Sequence, residues 1–187
     1  MKELSLNILD IAENSVKAGA DLIEILIEET QDKMLILRIN DNGCGMKEEI
    51  LQGVIDPFYT TRTTRSVGLG IPLLKLAAEQ TGGGVTIVSR HESEYPDTHG
   101  TEVTATFYQN HIDCTPMGDI ISTVTTLIQG SPMIDFKFLH VSDRFRVLLD
   151  TRQVREILGE EIPLNSPEII RWIAEYLGEQ YENLSNQ

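Results

Sequence analysis

The chain has 187 residues, of which 41% are hydrophobic, so it can bury the core of one medium domain or of a larger domain with a smaller appendage. Its formal net charge of -14 argues against nucleic acid and anionic membranes as partners, because both require a basic protein surface. Two cysteines without a pairing pattern, no basic leader and no apolar run of about 20 residues together predict a cytoplasmic protein without disulfides or membrane spans.

Apolar periodicity divides the first part of the chain into alternating helices and strands. Segments with helical spacing predict helices, alternating segments predict strands, and Gly19 and Gly82 mark helix ends. The predicted elements, in chain order, are a helix at 4–18, strands at 22–28 and 34–39 that form a hairpin, a short helix at 46–54, a loop at 57–67, a helix at 71–80, and strands at 85–89 and 101–107. A first unit is therefore expected at residues 1–110.

Residues 111–187 are expected to form a C-terminal α+β extension whose role the sequence does not reveal. Its predicted elements are a helix at 116–129, strands at 134–141 and 145–149, and two closing helices with Thr151 and Ser166 as N-caps. The sequence of this unit carries no catalytic pattern. Its last helix has a broad apolar face around Trp172, which either packs on the protein itself or docks a partner.

The first polar pattern lies on the predicted N-terminal helix. Asp10, Asn14 and Lys17 are three or four residues apart, so their side chains share one helical stripe, with Glu13 beside them. Magnesium takes one or two hard oxygen ligands from a protein when phosphates supply the others, and an asparagine carbonyl is such a ligand. The pattern fits a contact with a magnesium nucleotide, whereas in isolation it would also fit an ordinary solvated helix face.

The second pattern, Asp41-Asn42-Gly43-Cys44-Gly45-Met46, follows a predicted strand. A carboxylate accepts hydrogen bonds only, so Asp41 can accept the exocyclic amino hydrogen of adenine and discriminates against guanine, which presents an acceptor there. Gly43 and Gly45 let the backbone approach a base. The alternative is a tight turn without a ligand, for which Asn-Gly suffices.

The third and fourth patterns suit the phosphates of a nucleotide. Residues 60–65 hold four threonine hydroxyls and two guanidinium groups, and such a loop can fold over phosphate oxygens. Phe58 and Tyr59 are expected to anchor this lid. Gly68 and Gly70 stand immediately before a predicted helix, whose unpaired N–H groups and positive dipole end stabilise phosphate. A polar surface loop is the alternative.

In this order, and closed by Gly100-Thr101, the four patterns resemble the nucleotide-binding boxes of the GHKL family, which includes DNA gyrase B subunits, heat-shock chaperones, histidine kinases and mismatch-repair ATPases. The resemblance covers residues 4–108 and implies the Bergerat fold, a two-layer α/β sandwich of the α+β class. Residues 12–20 are similar to the mismatch-repair box, whereas residues 56–62 and 68–71 resemble histidine kinases. The compact lid favours the kinase branch.

The resemblance also implies roles for individual residues. Asn14 is expected to bind Mg2+, Asp41 the adenine amino group, and Thr101 adenine through water. The full set expected to contact ATP comprises Asn14, Lys17, Asp41, Gly43, Gly45, Met46, Phe58, Thr61, Arg62, Val67, Gly68, Leu69, Gly70 and Thr101. Arg62 stands where kinases have a lysine that approaches phosphate. Asp10 stands where hydrolysing members have a glutamate, so it is the candidate catalytic base, one methylene shorter.

The family resemblance does not by itself determine the reaction. The segment His91-Glu92-Ser93-Glu94-Tyr95-Pro96 matches a phosphoacceptor motif, but it is predicted to lie in a loop between strands, so any acceptor is expected on another chain. Three hypotheses follow: a kinase that phosphorylates a histidine or serine of a partner in trans, a non-catalytic ATP-dependent switch, and a slow ATPase with Asp10 as base. The sequence leaves the oligomeric state open.

Overall fold

The structure of the protein is a computed structural model that describes residues 3–54, 69–159 and 162–185. The elements, in chain order, are α1 (Leu4–Lys17), β1 (Leu22–Glu29), β2 (Met34–Asp41), α2 (Glu48–Val54), α3 (Gly70–Gln80), β3 (Gly84–Arg90), β4 (Gly100–Tyr108), α4 (Ile120–Gly130), β5 (Asp135–Val141), β6 (Arg146–Asp150), α5 (Thr151–Leu158) and α6 (Pro167–Ser185). Every helix and strand predicted in the first unit is present. The predicted loop at 57–67 lies outside the described residues.

The strands form one six-stranded sheet in the order β3-β4-β2-β1-β5-β6. Neighbouring strands are antiparallel except for β1 and β5, which are parallel and place Ile25 opposite Phe138. On its other side, Ile25 lies opposite Ile39 of β2. The two strands of the predicted C-terminal extension thus continue the sheet of the first unit, and the boundary at residue 110 stays a prediction.

The core lies on one face of this sheet. Ile23, Ile25 and Ile27 of β1 alternate with more exposed residues and are at most 2% exposed, as the period of two in a strand requires. Helices α1, α3 and α4 pack with α6 into the same buried cluster through Ile8, Leu74 and their neighbours. The mixed α/β sandwich expected from the sequence is confirmed.

The start of α4 differs from the prediction because its first predicted residues bond to another helix. The carbonyls of Pro116 and Met117 accept hydrogen bonds from the N–H groups of Leu4 and Ser5, at 2.9 and 2.8 Å. These residues therefore satisfy the open N-terminus of α1 instead of forming a helical turn of their own. Helix α4 begins only at Ile120.

The predicted N-cap at Thr151 is wrong by one residue. Asp150 caps α5, since its side chain accepts a hydrogen bond from Arg152 N at 3.1 Å. The hydroxyl of Thr151 instead accepts a bond from Phe136 N and donates one to Asp135, which ties α5 to the start of β5.

The apolar face of α6 is divided between the core and the surface. Ile173 and Leu177 are fully buried, whereas Trp172 and Tyr176 are 44% and 38% exposed and stack on each other with ring centroids 5.2 Å apart. Packing on the protein itself therefore accounts for part of this face. Within the described ranges, no helix has both the length and the hydrophobicity needed to cross a bilayer.

Candidate nucleotide-binding site

Asp41 lies at the end of β2, only 7% exposed, and three protein groups hold its carboxylate. Ser15 Oγ donates to Oδ2 at 2.6 Å, while the N–H groups of Gly43 and Thr101 donate to Oδ1 at 2.9 and 3.3 Å. A carboxylate offers about four acceptor positions, two on each oxygen. Oδ1 uses both of its positions on the backbone, so Oδ2 keeps one position for a donor other than these three.

The turn after Asp41 is packed too closely for side chains at two of its glycines. A Cβ on Gly43 would lie 2.8 Å from the Cβ of Ala18 at the end of α1. Gly45 has a φ of +67 degrees, in the left-handed region, and a Cβ there would collide with the carbonyl oxygen of Arg90. Both glycines therefore allow the turn to lie directly on neighbouring backbone. Their expected role in a base pocket stays a prediction.

Asn42 has a structural role in this turn. Its Oδ1 accepts hydrogen bonds from the backbone N–H groups of Asp21 and Leu22, both at 2.9 Å, and thereby fixes the turn to the start of β1. Asn42 is otherwise exposed to solvent. The turn-forming alternative considered for Asn42-Gly43 thus accounts for the asparagine, whereas Asp41 faces the interior.

Ser89 is a site residue that the sequence analysis did not identify. Its Oγ accepts from Met46 N at 2.7 Å and lies 2.8 Å from the hydroxyl of Thr101. Ser89 and Thr101 are direct cross-strand partners in β3 and β4. The strand register could have revealed Ser89 from the position of Thr101, but only once that register was known.

His99 is a second residue of this region that the sequence did not indicate. It is half-buried, and its Nδ1 lies 2.6 Å from the carbonyl oxygen of Gly43. His91, by contrast, lies in the loop between β3 and β4, as predicted, and bonds to Ser93 at 2.8 Å. The His-Glu-x-x-x-Pro match therefore lies outside any helix.

Asp10 and Asn14 occupy successive turns of α1 and are both half-buried. Within the described residues, no hydrogen bond or ion pair involves either side chain, although both carry hard oxygen atoms. Burial, and next the negative charge of Glu13, raise the pKa of Asp10 above its ordinary value, while Lys17 opposes this shift. These two oxygen-bearing side chains lie one helical turn apart and are not bonded by any other described residue, which fits the partial ligand set that magnesium takes beside phosphates.

Lys17 lies on the same helix but points its charge towards solvent. Its side chain is 71% exposed and forms an ion pair with Glu13 at 3.6 Å. An exposed pair of this kind contributes little to stability, so Lys17 is available to other anions at little cost. Its contact with ATP stays a prediction.

The N-terminus of α3 lies against the middle of α1. A Cβ on Gly70 would lie 3.0 Å from the Cβ of Asp10, so the glycine permits this approach. Within the described residues, no side chain caps α3, and Pro72 lacks an N–H group. The N–H groups of Gly70 and Ile71 therefore have no side-chain acceptor among these residues. Leu69 is 65% exposed, so any contact it makes with phosphate would come from its backbone.

Five of the expected contact residues lie outside the described residues. They are Phe58, Thr61, Arg62, Val67 and Gly68. Among the described residues, two contacts join the expected site to α1: Ser15 bonds to Asp41, and Asp10 lies next to Gly70. These two contacts are five residues apart on α1, or roughly 7.5 Å along its axis.

Comparison with known proteins identifies the family of the chain. Residues 2–111 match the family described as histidine kinase-, DNA gyrase B- and HSP90-like ATPases. The sensor protein SrrB of Staphylococcus aureus is 35% identical over 94 residues, which are 48% of this chain but only 16% of SrrB. The chain thus matches a small part of that relative.

Two solved structures share the fold at 15% sequence identity. The ATPase domain of Aquifex aeolicus MutL, complexed with ADP, has a TM-score of 0.55 and covers 84% of this chain and 69% of its own. The N-terminal domain of a DNA repair protein has a TM-score of 0.57, with coverages of 86% and 58%. The chain belongs to the histidine kinase-, DNA gyrase B- and HSP90-like ATPase family, and residues 2–111 are its ATP-binding domain.

Proposed function

We propose that this protein binds Mg-ATP between α1, the Asp41 turn and the start of α3, and that it transfers the terminal phosphate to a histidine or serine of a partner protein. The observation that carries the proposal is the Asp41 carboxylate, which is buried and held by three donors with one acceptor position left on Oδ2. That position suits the 6-amino group of adenine, because guanine has a carbonyl oxygen at this position of the ring.

Asn14 and Asp10 are the groups that support the metal assignment. Magnesium, when bound, neutralises charge on the phosphate oxygens and orients them for in-line transfer. The Asn14 carbonyl is the proposed protein ligand because the described residues make no bond to it, and the N-terminus of α3 next to Asp10 provides backbone donors for phosphate. Arg62 and the other residues of the predicted lid are also proposed to contact the phosphates.

The positions of three of the four histidines support transfer to another protein. His140 is 4% exposed, and both ring nitrogens are engaged, by Glu29 at 3.0 Å and by Tyr181 at 2.8 Å. His91 lies in a loop, and His99 bonds to the Asp41 turn. None of these three histidines lies on an exposed helix. The proposed phosphoacceptor is therefore a residue of another protein.

Slow ATP hydrolysis is a second candidate function, and the environment of Asp10 favours it. Burial raises the pKa of this carboxyl, which makes it a better general base than an ordinary aspartate when it is ionised. The side chain also lies beside the proposed phosphate position. The third candidate, a switch that binds ATP without turnover, requires only the binding site.

One labelling experiment distinguishes the three candidates. The purified protein is incubated with ATP radiolabelled on the γ-phosphate, with and without cell extract, beside an Asp41→Asn variant as the binding control. We expect label on a second protein that is lost with the variant. Label released only as free phosphate selects the ATPase, and nucleotide binding without transfer or release selects the switch. Failure of the wild-type protein to bind ATP overturns all three.

A further inference from the structure

The segment from His99 to Thr101 holds the Asp41 turn at several points. Thr101 N donates to Asp41 Oδ1 at 3.3 Å, and the His99 Nδ1 atom lies 2.6 Å from the carbonyl oxygen of Gly43. Between them, Gly100 has a φ of +135 degrees and lies so close to the backbone carbonyl of Asp41 that a side chain would collide with it. The segment therefore follows the turn closely along its length.

The hydrogen bond from His99 has a defined direction. A carbonyl oxygen only accepts, so the imidazole must carry its hydrogen on Nδ1 to make this contact. The N–H of Gly43 is engaged as well, since it donates to Asp41 Oδ1 at 2.9 Å. Both polar groups of Gly43 are thus fixed, one by the Asp41 carboxylate and the other by His99.

This arrangement bears on the orientation of the carboxylate. Gly43 carries no Cβ and has wide conformational freedom, so its peptide groups would rotate easily without bonds at both ends. The Gly43 N–H belongs to the peptide group shared with Asn42, and rotation of that group would remove one of the two donors to Oδ1 and leave only Thr101 N there. The Asp41 side chain would then be less restrained, and the remaining acceptor position on Oδ2 could be misdirected. The Gly43 carbonyl belongs to the next peptide group, shared with Cys44, whose N–H donates to the carbonyl of Ala18 at 2.9 Å. The His99 bond holds the carbonyl end of this second group and so restrains the backbone that directly follows the Gly43 N–H.

We infer that His99 is a positioning residue for adenine recognition: through its Nδ1 bond to Gly43 O, it holds the turn that aims Asp41 Oδ2 at the amino group of the base. The inference rests on the proposed ATP site and adds to it a specificity element outside the Asp41 turn. It assigns His99 no contact with the nucleotide and no proton transfer.

Two amide substitutions separate this role from a general packing role. In His99→Asn, the amide nitrogen is attached to Cγ, as Nδ1 is, and can donate to the same carbonyl. In His99→Gln, the amide is one bond further from the backbone and takes the place of Nε2 instead. Both amides are neutral and polar, so they differ mainly in where they place the donor.

The measurement is the affinity of wild type, His99→Asn, His99→Gln and His99→Ala for ATP and for the purine ribonucleoside triphosphate that lacks the 6-amino group. We expect wild type to bind ATP about 10- to 100-fold more tightly than the analogue, the range of one hydrogen bond to a charged group. His99→Asn should keep most of this ratio, whereas the ratio should fall to about threefold or less in the Gln and Ala variants.

Other results would overturn the role of His99, the role of its Nδ1 atom, or the proposed ATP site. An unchanged ratio in the Ala variant overturns the role of His99 and leaves the ATP site intact. A ratio lost equally in the Asn and Gln variants overturns the role of Nδ1, and equal weakening of both ligands indicates a folding effect and overturns the inference as well. A wild-type protein that binds neither triphosphate overturns the proposed function together with this inference.

Discussion

Ser15 on α1 donates a hydrogen bond of 2.6 Å to Asp41 Oδ2 at the end of β2, across 26 positions of sequence. Both residues are buried, Ser15 at 3% and Asp41 at 7% exposure. The bond joins the helix that carries the proposed metal ligand to the carboxylate proposed to recognise adenine. It also sets how the remaining acceptor position of Oδ2 is directed, because it occupies the other one.

Loss of this bond should weaken both the fold and the site. In Ser15→Ala, Asp41 loses its only side-chain donor within the described residues, and a buried hydrogen bond to a charged group contributes about 1.5–3 kcal/mol. We expect the free energy of unfolding to fall within that range and ATP to bind more weakly, measured by urea unfolding and by calorimetric titration. Ser5→Ala is the matched control, since Ser5 is also buried on α1 but its hydroxyl, among the described residues, bonds only to Glu3, at 3.5 Å. Equal effects of the two substitutions would contradict the special role of Ser15.

Replacement of Asp41 itself should affect the base more than the phosphates. Asp41→Asn preserves the size of the side chain but places an amide where two acceptor oxygens stood, so ATP affinity should fall by about 1.5–3 kcal/mol. The analogue without the 6-amino group should lose much less. Titrations of both ligands test this, and an equal loss for the two would mean that Asp41 acts through the fold.

Asn14 should determine the metal dependence of nucleotide binding. With Asn14→Ala, ATP affinity should no longer respond to Mg2+, because the proposed protein ligand of the ion is removed. The test is a pair of titrations with Mg2+ or with EDTA. Glu13→Gln serves as the control, since Glu13 is the exposed neighbour paired with Lys17, and we expect it to keep the metal response. A metal response that survives in Asn14→Ala would exclude Asn14 as the ligand.

The ionised side chain of Asp10 should lower the free energy of unfolding at neutral pH. Burial raises its pKa, so the folded protein holds a proton on this group more tightly than the unfolded chain does, and stability is lost as the pH rises through the raised value. Asp10→Asn, which cannot ionise, should therefore be more stable than wild type at pH 7. The gain should shrink below the ordinary pKa of an aspartate. Urea unfolding at several pH values measures this, with the exposed turn residue Asp32 in Asp32→Asn as the control. A gain independent of pH would contradict ionisation as its cause.

Alanine substitutions at Gly45 and Gly178 should change the free energy of unfolding in opposite directions. Gly45→Ala forces a Cβ into the left-handed region and against Arg90, which should cost at least about 1–2 kcal/mol of stability. Gly178→Ala lies within α6, where a Cβ meets nothing within 4 Å, and should gain about 0.5–1 kcal/mol. Thermal unfolding of both variants checks the contrast, and a tolerated Gly45→Ala would show that the turn can move away from β3.

The parts of the fold that sequence predicted well are those fixed by local patterns. Helix α1 and strands β1 and β2 have regular apolar spacing, so their bounds agree with the prediction to within about two residues, and Asp41 lies at a strand end as expected. The start of α4 was missed because Pro116 and Met117 bond to α1, which is a contact between distant residues. No local pattern indicates it.

The same distinction applies to the site. Asp41 and the glycines are visible in sequence because their residue types are unusual in their positions. Ser89 and His99 are ordinary residue types whose importance comes from strand register and from one side-chain orientation. The parallel pairing of β5 with β1 is likewise invisible in a single sequence, because the residues between them do not specify which sheet edge the chain returns to.

The bonds from residues 116 and 117 to the first turn of α1 have a mechanical consequence. Asn14, the proposed metal ligand, lies in the last turns of the same helix. The segment that connects β4 to α4 is therefore hydrogen-bonded to the opposite end of α1. If α1 slides or tilts when a nucleotide is exchanged, it must either drag that segment along or break two backbone hydrogen bonds. A displacement of α1 would therefore extend to the segment that leads into α4.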